Sequence, residues 1–85
     1  MGAFSQARMT CEVRFHPFGV RDVDAAVDEA IEIIASFDLK LSTGPLSTVV
    51  KGDPAEVFAM LRTLYERMEE RHAFTLDVTL SNYCE

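Results

Sequence analysis

Between Met9 and Ser81 the spacing of apolar residues switches repeatedly between two periods, and the order of those switches leaves few folds open. Met9, Cys11, Val13 and Phe15 alternate with Thr10, Glu12, Arg14 and His16, the period of a strand with one buried face. Pro17-Phe18-Gly19 predicts its end. From Val23 the pattern becomes Val23, Val27, Ala30, Ile31 and Ile34, one stripe of an α-helix, with Asp22 as the expected N-cap. Leu39 to Ser42 reads as a short strand, Thr43-Gly44-Pro45 as a turn, and Leu46 to Lys51 as a second strand rich in β-branched residues. Asp53-Pro54-Ala55-Glu56 sets a capping residue, a proline at the first helical position and a Glu three after the cap, which predicts a helix start with a capping box in its Asp form. Val57, Leu61, Leu64, Tyr65 and Met68 form the predicted buried stripe, and the helix is expected to fray through Glu69 to His72. Alternation then returns, with Phe74, Leu76, Val78 and Leu80 inside and Thr75, Asp77, Thr79 and Ser81 outside.

Strand, helix, strand, strand, helix, strand is the ferredoxin-like βαββαβ order, an α+β fold. Right-handed crossovers place the first and third strands in the middle of a four-stranded antiparallel sheet with both helices on one face. A chain of 85 residues has room for one core and no second domain. Residues 9–85 are therefore expected to form a single ligand-binding domain, preceded by a flexible segment over residues 1–8. The period puts Thr10, Glu12, Arg14 and His16 beside Thr75, Asp77, Thr79 and Ser81 on the uncovered face, which can serve as a wetted surface, a subunit contact or a ligand platform. Cys11 and Cys84 share the inward parity of adjacent strands, so they are expected to be near neighbours, as thiols rather than as a disulfide in a reducing compartment.

Charge and composition remove several classes of function. Fourteen acidic against eight basic side chains give a net charge of −6, a field that repels phosphate backbones and anionic lipid surfaces. Nucleic acid is not an expected partner. No apolar run approaches the roughly 20 residues of a membrane helix, and Met1 to Met9 lacks the apolar stretch of a signal peptide, so the expected location is the cytoplasm. A small core, exposed edge strands and a bare sheet face together predict a homodimer or larger homo-oligomer.

Catalytic settings are missing. Ser, Cys and His all occur, but no nucleophile elbow or triad context surrounds them. The loop after the first strand carries a single glycine and a lone Arg21, a poor cradle for a substrate phosphate. The central strands lack the outward aromatic rings on which RNA bases stack. His16, Glu12 and Asp77 are each possible metal ligands, yet carboxylates flanking Arg14 are more simply a surface charge network. No catalytic residue, metal or cofactor is assigned.

Cys11-Glu-Val-Arg-Phe-His-Pro-Phe18, then Gly44-Pro-Leu-Ser-Thr-Val-Val-Lys-Gly52, Val57-Phe58 and Leu80-Ser-Asn-Tyr-Cys84 resemble, in the same order, the YkoF-type thiamine/hydroxymethylpyrimidine-binding domain and related thiamine-binding proteins. The resemblance implies the same ferredoxin-like fold and a non-catalytic protein that binds thiamine or its hydroxymethylpyrimidine part in vitamin uptake or salvage. Some members of that family carry two such domains in tandem; with one domain here, the resemblance implies that a homo-oligomer is expected to replace the second. Arg14 and His16 stand where the family often has Ser and Tyr.

An aminopyrimidine calls for a carboxylate or carbonyl, a hydroxyl and a flat apolar surface. Glu12 or Asp77 is expected to accept from its amine, with Arg14 and His16 beside them. Ser47, Thr48 and Ser81 are expected to reach the ring nitrogens, Asn82 to add a polar contact, and Phe18 or Tyr83 to stack. A second reading, from a different class, is a dimerising interaction or regulatory module whose open sheet face is the subunit interface.

Overall fold

The computed structural model describes residues 8–44 and 47–82. Its elements are β1 (Met9–Phe18), α1 (Val23–Ala35), β2 (Lys40–Thr43), β3 (Thr48–Gly52), α2 (Pro54–Glu69) and β4 (Ala73–Ser81). They form one sheet in the order β2-β3-β1-β4, antiparallel throughout. This is the predicted ferredoxin-like arrangement, with β1 and β3 central. The expected flexible segment lies outside the described residues except for Arg8. So does Cys84, and with it the expected meeting of the two cysteines.

β1 runs two residues further than its alternation suggested, through Pro17 to Phe18. The register explains how a proline is tolerated. β3 accompanies β1 only over Met9–Val13, while β4 accompanies it from Thr10 to Phe18. Beyond Val13 the strand has a neighbour on one side only, so a missing N–H need not break a ladder. Gly19, at φ 65°, then turns the chain in the left-handed region.

Both helix starts follow the sequence signals, one with a difference. The Asp22 carboxylate accepts from the Ala25 N–H at 3.0 Å, and that of Asp53 accepts from the Ala55 N–H at 2.8 Å. Glu56 does not complete a capping box. Its Oε2 accepts instead from the Asp38 N–H at 3.2 Å, tying the loop before β2 to the first turn of α2. Gly52 belongs to the same junction: a Cβ there would come within 2.5 Å of Leu39 Cδ2 and close to the Asp38 and Leu39 backbone. The Gly52 of the family-like motif thus has a packing reason.

The core is made by Cys11 and Val13 of β1, Val50 of β3, Ala30 and Ile34 of α1, and the α2 stripe Val57, Met60, Leu64 and Met68. Met60 takes a central place that the sequence pattern assigned to Leu61 and Tyr65; Tyr65 is 51% exposed. The contact surface of α2 is rotated slightly from the expected one, so that positions 57, 60, 64 and 68 point inward. Tyr65 covers the edge of this core, its ring meeting Phe74 edge-on at a centroid distance of 5.4 Å, and Phe74 in turn meets Phe15. Just beyond the C-terminal end of α2, His72 Nε2 lies 3.3 Å from Glu29 Oε1 of α1, and Arg71 pairs with the same carboxylate.

Candidate functional site

The residues singled out in the sequence fall on two opposite faces of the sheet. The β1–β4 register pairs Thr10 with Ser81, Glu12 with Thr79, Arg14 with Asp77, and His16 with Thr75, so the open face has the predicted composition. There the charged groups are neighbours: Arg14 Nη2 lies 3.5 Å from Glu12 Oε2, and His16 Nε2 lies 3.4 Å from Asp77 Oδ2. Phe18 is exposed at the far end of β1, while Ser81 and Asn82 close the opposite end of the β1–β4 pair. Phe18 and Asn82 are therefore a strand length apart. Tyr83 lies outside the described residues. Among the described residues no three His, Cys, Asp or Glu side chains are grouped to hold a metal ion.

Thr48 and Ser47 belong to the other side. Thr48 faces Val13 across the β1–β3 ladder and is buried. With Ser47 it forms one wall of a cavity of about 120 Å³ between α1 and the sheet. Val13 and Phe15 make the floor, Val27, Ala30, Ile31 and Ile34 of α1 make the roof, and Gly44 sits at the rim. Period-two geometry dictates this split: Thr48 shares the parity of Val50 on β3 and opposes the inward Val13, whereas Glu12 is one residue out of phase. No single ligand ring can touch Thr48 and the Glu12–Asp77 face together. The cavity had one signal in the sequence, small Ala30 within the apolar stripe of α1, where a larger side chain would fill the space.

Chemically the cavity offers apolar walls and two hydroxyls. Each hydroxyl can donate to a ring nitrogen or accept from an amine. The nearby sulfur does not add a nucleophile: burial pushes the Cys11 thiol from 9.0 up to about 11, so it stays protonated near neutrality, and it is fully enclosed. No helix among the described residues is long and apolar enough to cross a membrane.

Comparison with known proteins agrees with this geometry. Among solved structures, a Thermotoga maritima protein proposed to act in thiamine biosynthesis or salvage superposes with a TM-score of 0.78 at 27% identity, covering 87% of this chain and 82% of the other. A hypothetical protein from Methanocaldococcus jannascii does so with a TM-score of 0.79 at 24% identity, covering 87% and 78%. A de novo designed protein with the ferredoxin fold matches at a TM-score of 0.54 and 14% identity, covering 87% and 84%; these last two relationships establish the fold. No curated protein sequence matches. The family model described as thiamine-binding protein matches residues 11–80, which takes in most of β1, both helices and the Ser47-Thr48 wall, and the chain therefore belongs to the thiamine-binding protein family.

Proposed function

We propose that this protein binds thiamine or its hydroxymethylpyrimidine part in the cavity under α1, without catalysing a reaction on it, as a step in uptake or salvage of the vitamin. The observation that carries this reading is the match between ring and cavity. An apolar protein cavity of about 150 Å³ accepts one benzene ring, and the space here, about 120 Å³, is of that scale, so that a six-membered ring enters with its substituents toward the open rim. The cavity has two hydroxyls on one wall and hydrocarbon elsewhere. The pyrimidine then lies inside, and the thiazolium of intact thiamine extends outward past the rim at Gly44. The net charge of −6 favours the approach of that cation over long range.

Family membership and the Thermotoga maritima protein support a small vitamin-related ligand. The Glu12–Asp77 face remains the other place where an amine could be accepted, and substitutions on the two faces distinguish the sites. Calorimetric titration of the protein with thiamine and, separately, with hydroxymethylpyrimidine tests the reading. Saturable heat with hydroxymethylpyrimidine supports binding of the ring. No heat with either compound at millimolar concentration overturns the proposal.

A further inference from the structure

The helix that roofs the cavity carries a charge pattern that its own stability does not call for. Asp24, Asp28 and Glu32 follow one another at four-residue spacing, and α1 contains no Lys or Arg. Like charges at that spacing repel and weaken a helix. The macrodipole offsets the repulsion for Asp24, in the first turn, but its influence has faded by Asp28. Both carboxylates are exposed, and among the described residues neither makes an ion pair or a side-chain hydrogen bond.

Helical geometry sets this stripe beside the mouth of the cavity. At about 100° per residue, Ile31, Asp24 and Asp28 stand about 40°, 60° and 100° round α1 from Val27, all in the same sense. Ala26 and Glu29 lie on the other side of the helix, where Ala26 is buried and Glu29 meets His72 and Arg71 just past the end of α2. The acidic stripe is therefore on the flank turned away from α2, toward the β2–β3 side of the sheet. Val27 and Ile31, which line the cavity, are only half-buried, so the space opens along this flank. Across the mouth, the segment from Thr43 to Thr48 contains no charged residue, and Lys40 and Lys51 face each other at the far end of β2 and β3. The carboxylates of α1 thus dominate the local field.

An independent sign of a ligand lies inside. Thr48 is 8% exposed and lines the cavity, and its hydroxyl has no hydrogen-bond partner among the described residues. A buried hydroxyl left without a partner costs free energy until something pairs with it.

We propose that Asp24 and Asp28 form a cation subsite at this mouth, holding the thiazolium of a ligand whose pyrimidine lies against Thr48, and so select unphosphorylated thiamine over its phosphate esters. The subsite rests on the reading of the cavity as the pyrimidine site. A phosphate carried on the thiazolium side would meet two carboxylates and be repelled. Neutral hydroxymethylpyrimidine gains nothing from them.

Calorimetric titration of the full chain with thiamine, hydroxymethylpyrimidine and thiamine pyrophosphate tests the subsite. The proteins compared are wild type, the double variant Asp24→Asn/Asp28→Asn, and Glu69→Gln/Glu70→Gln, which removes as much charge from the exposed end of α2. The Asn variant should bind thiamine about tenfold more weakly and hydroxymethylpyrimidine within about twofold of wild type. The Gln variant should bind both within about twofold of wild type. Wild type should prefer thiamine to thiamine pyrophosphate, and the Asn variant should narrow that gap. Circular dichroism checks folding; should the double Asn variant not fold, Asp28→Asn decides alone. Hydroxymethylpyrimidine binding by wild type, together with unchanged thiamine affinity in the Asn variant, overturns the subsite and leaves the cavity reading standing. So does an equal loss in the Gln variant, which would make the effect one of net charge, or tighter binding of thiamine pyrophosphate than of thiamine. No heat with thiamine or hydroxymethylpyrimidine overturns the cavity reading, and the subsite with it.

Discussion

The two faces of the sheet take alternate residues of the same strands and give them different physical environments. On the helix side, Cys11, Val13 and Val50 are at most 3% exposed, and Thr48 beside them presents a hydroxyl in a largely apolar wall. One residue away along β1, the side chains of Arg14 and His16 are half exposed and their partners Glu12 and Asp77 are 38% and 63% exposed. Ion pairs in such a setting contribute little, about 0–1 kcal/mol. A hydroxyl at a buried position, by contrast, must find its partner in a ligand, a water or the protein. The same chemical types therefore differ in consequence according to the parity of the position that carries them.

The largest effect that should separate the faces is on stability. Met60→Ala removes a fully buried side chain and is expected to cost about 2–5 kcal/mol. Asp77→Ala should change stability by less than about 1 kcal/mol. Urea unfolding of both variants checks this, and similar losses would mean that the open face is covered in solution.

Next in size is occupancy of the cavity. Ala30→Leu fills space under α1 and should weaken hydroxymethylpyrimidine binding at least about a hundredfold by calorimetry, while overpacking costs about 1–3 kcal/mol of stability. Unchanged affinity in a folded Ala30→Leu protein would move the ligand to the other face.

A third effect concerns the buried thiol in the core. Because burial pushes Cys11 from its ordinary 9.0 up to about 11, its thiol ionises in the unfolded chain before it does so in the folded one. The unfolded state then binds fewer protons, so this residue makes stability fall as pH rises from 9 toward 11, by about 2 kcal/mol. The drop should be present in wild type and missing from Cys11→Ala, compared by urea unfolding at each pH. An equal slope in both proteins would show that the thiol is open to water.

The smallest expected difference is the sharpest about the site. Thr48→Val keeps the shape and removes one hydrogen bond to the ring, for about a tenfold loss in affinity. Asp77→Ala should change affinity less than about threefold, the size of a long-range charge effect. A reversal of this order in calorimetric titrations would place the amine-accepting group on the open face.

Much of this architecture was legible before any coordinates, because it is written in short-range patterns. The alternation in β1 and β4 specified which residues share a face, and the Asp22 and Asp53 caps marked where helices start. The βαββαβ order with right-handed crossovers then left one sheet order. Less legible were features that depend on how neighbouring elements meet. Pro17 read as a stop, yet β1 continues through it because β3 has already ended. Tyr65 read as core, yet the contact surface of α2 turned Met60 inward in its place. Glu56 read as half of a capping box, yet it holds the Asp38 N–H of a loop distant in sequence.

The candidate site shows the same division. From the sequence came the residue types an aminopyrimidine needs and the motif pieces that resemble the family, and the structure distributes those residues over two faces of the sheet. Parity along a strand is a property of the chain itself, so the sequence alone determined that Glu12, Arg14 and His16 share a face with Asp77. Which face Thr48 joins depends on the register of β3 against β1, and whether the space beside it is empty depends on the seating of α1. Those are contacts between residues far apart in the chain, and only the tertiary structure, where side-chain volumes from separate elements compete for the same space, decided them.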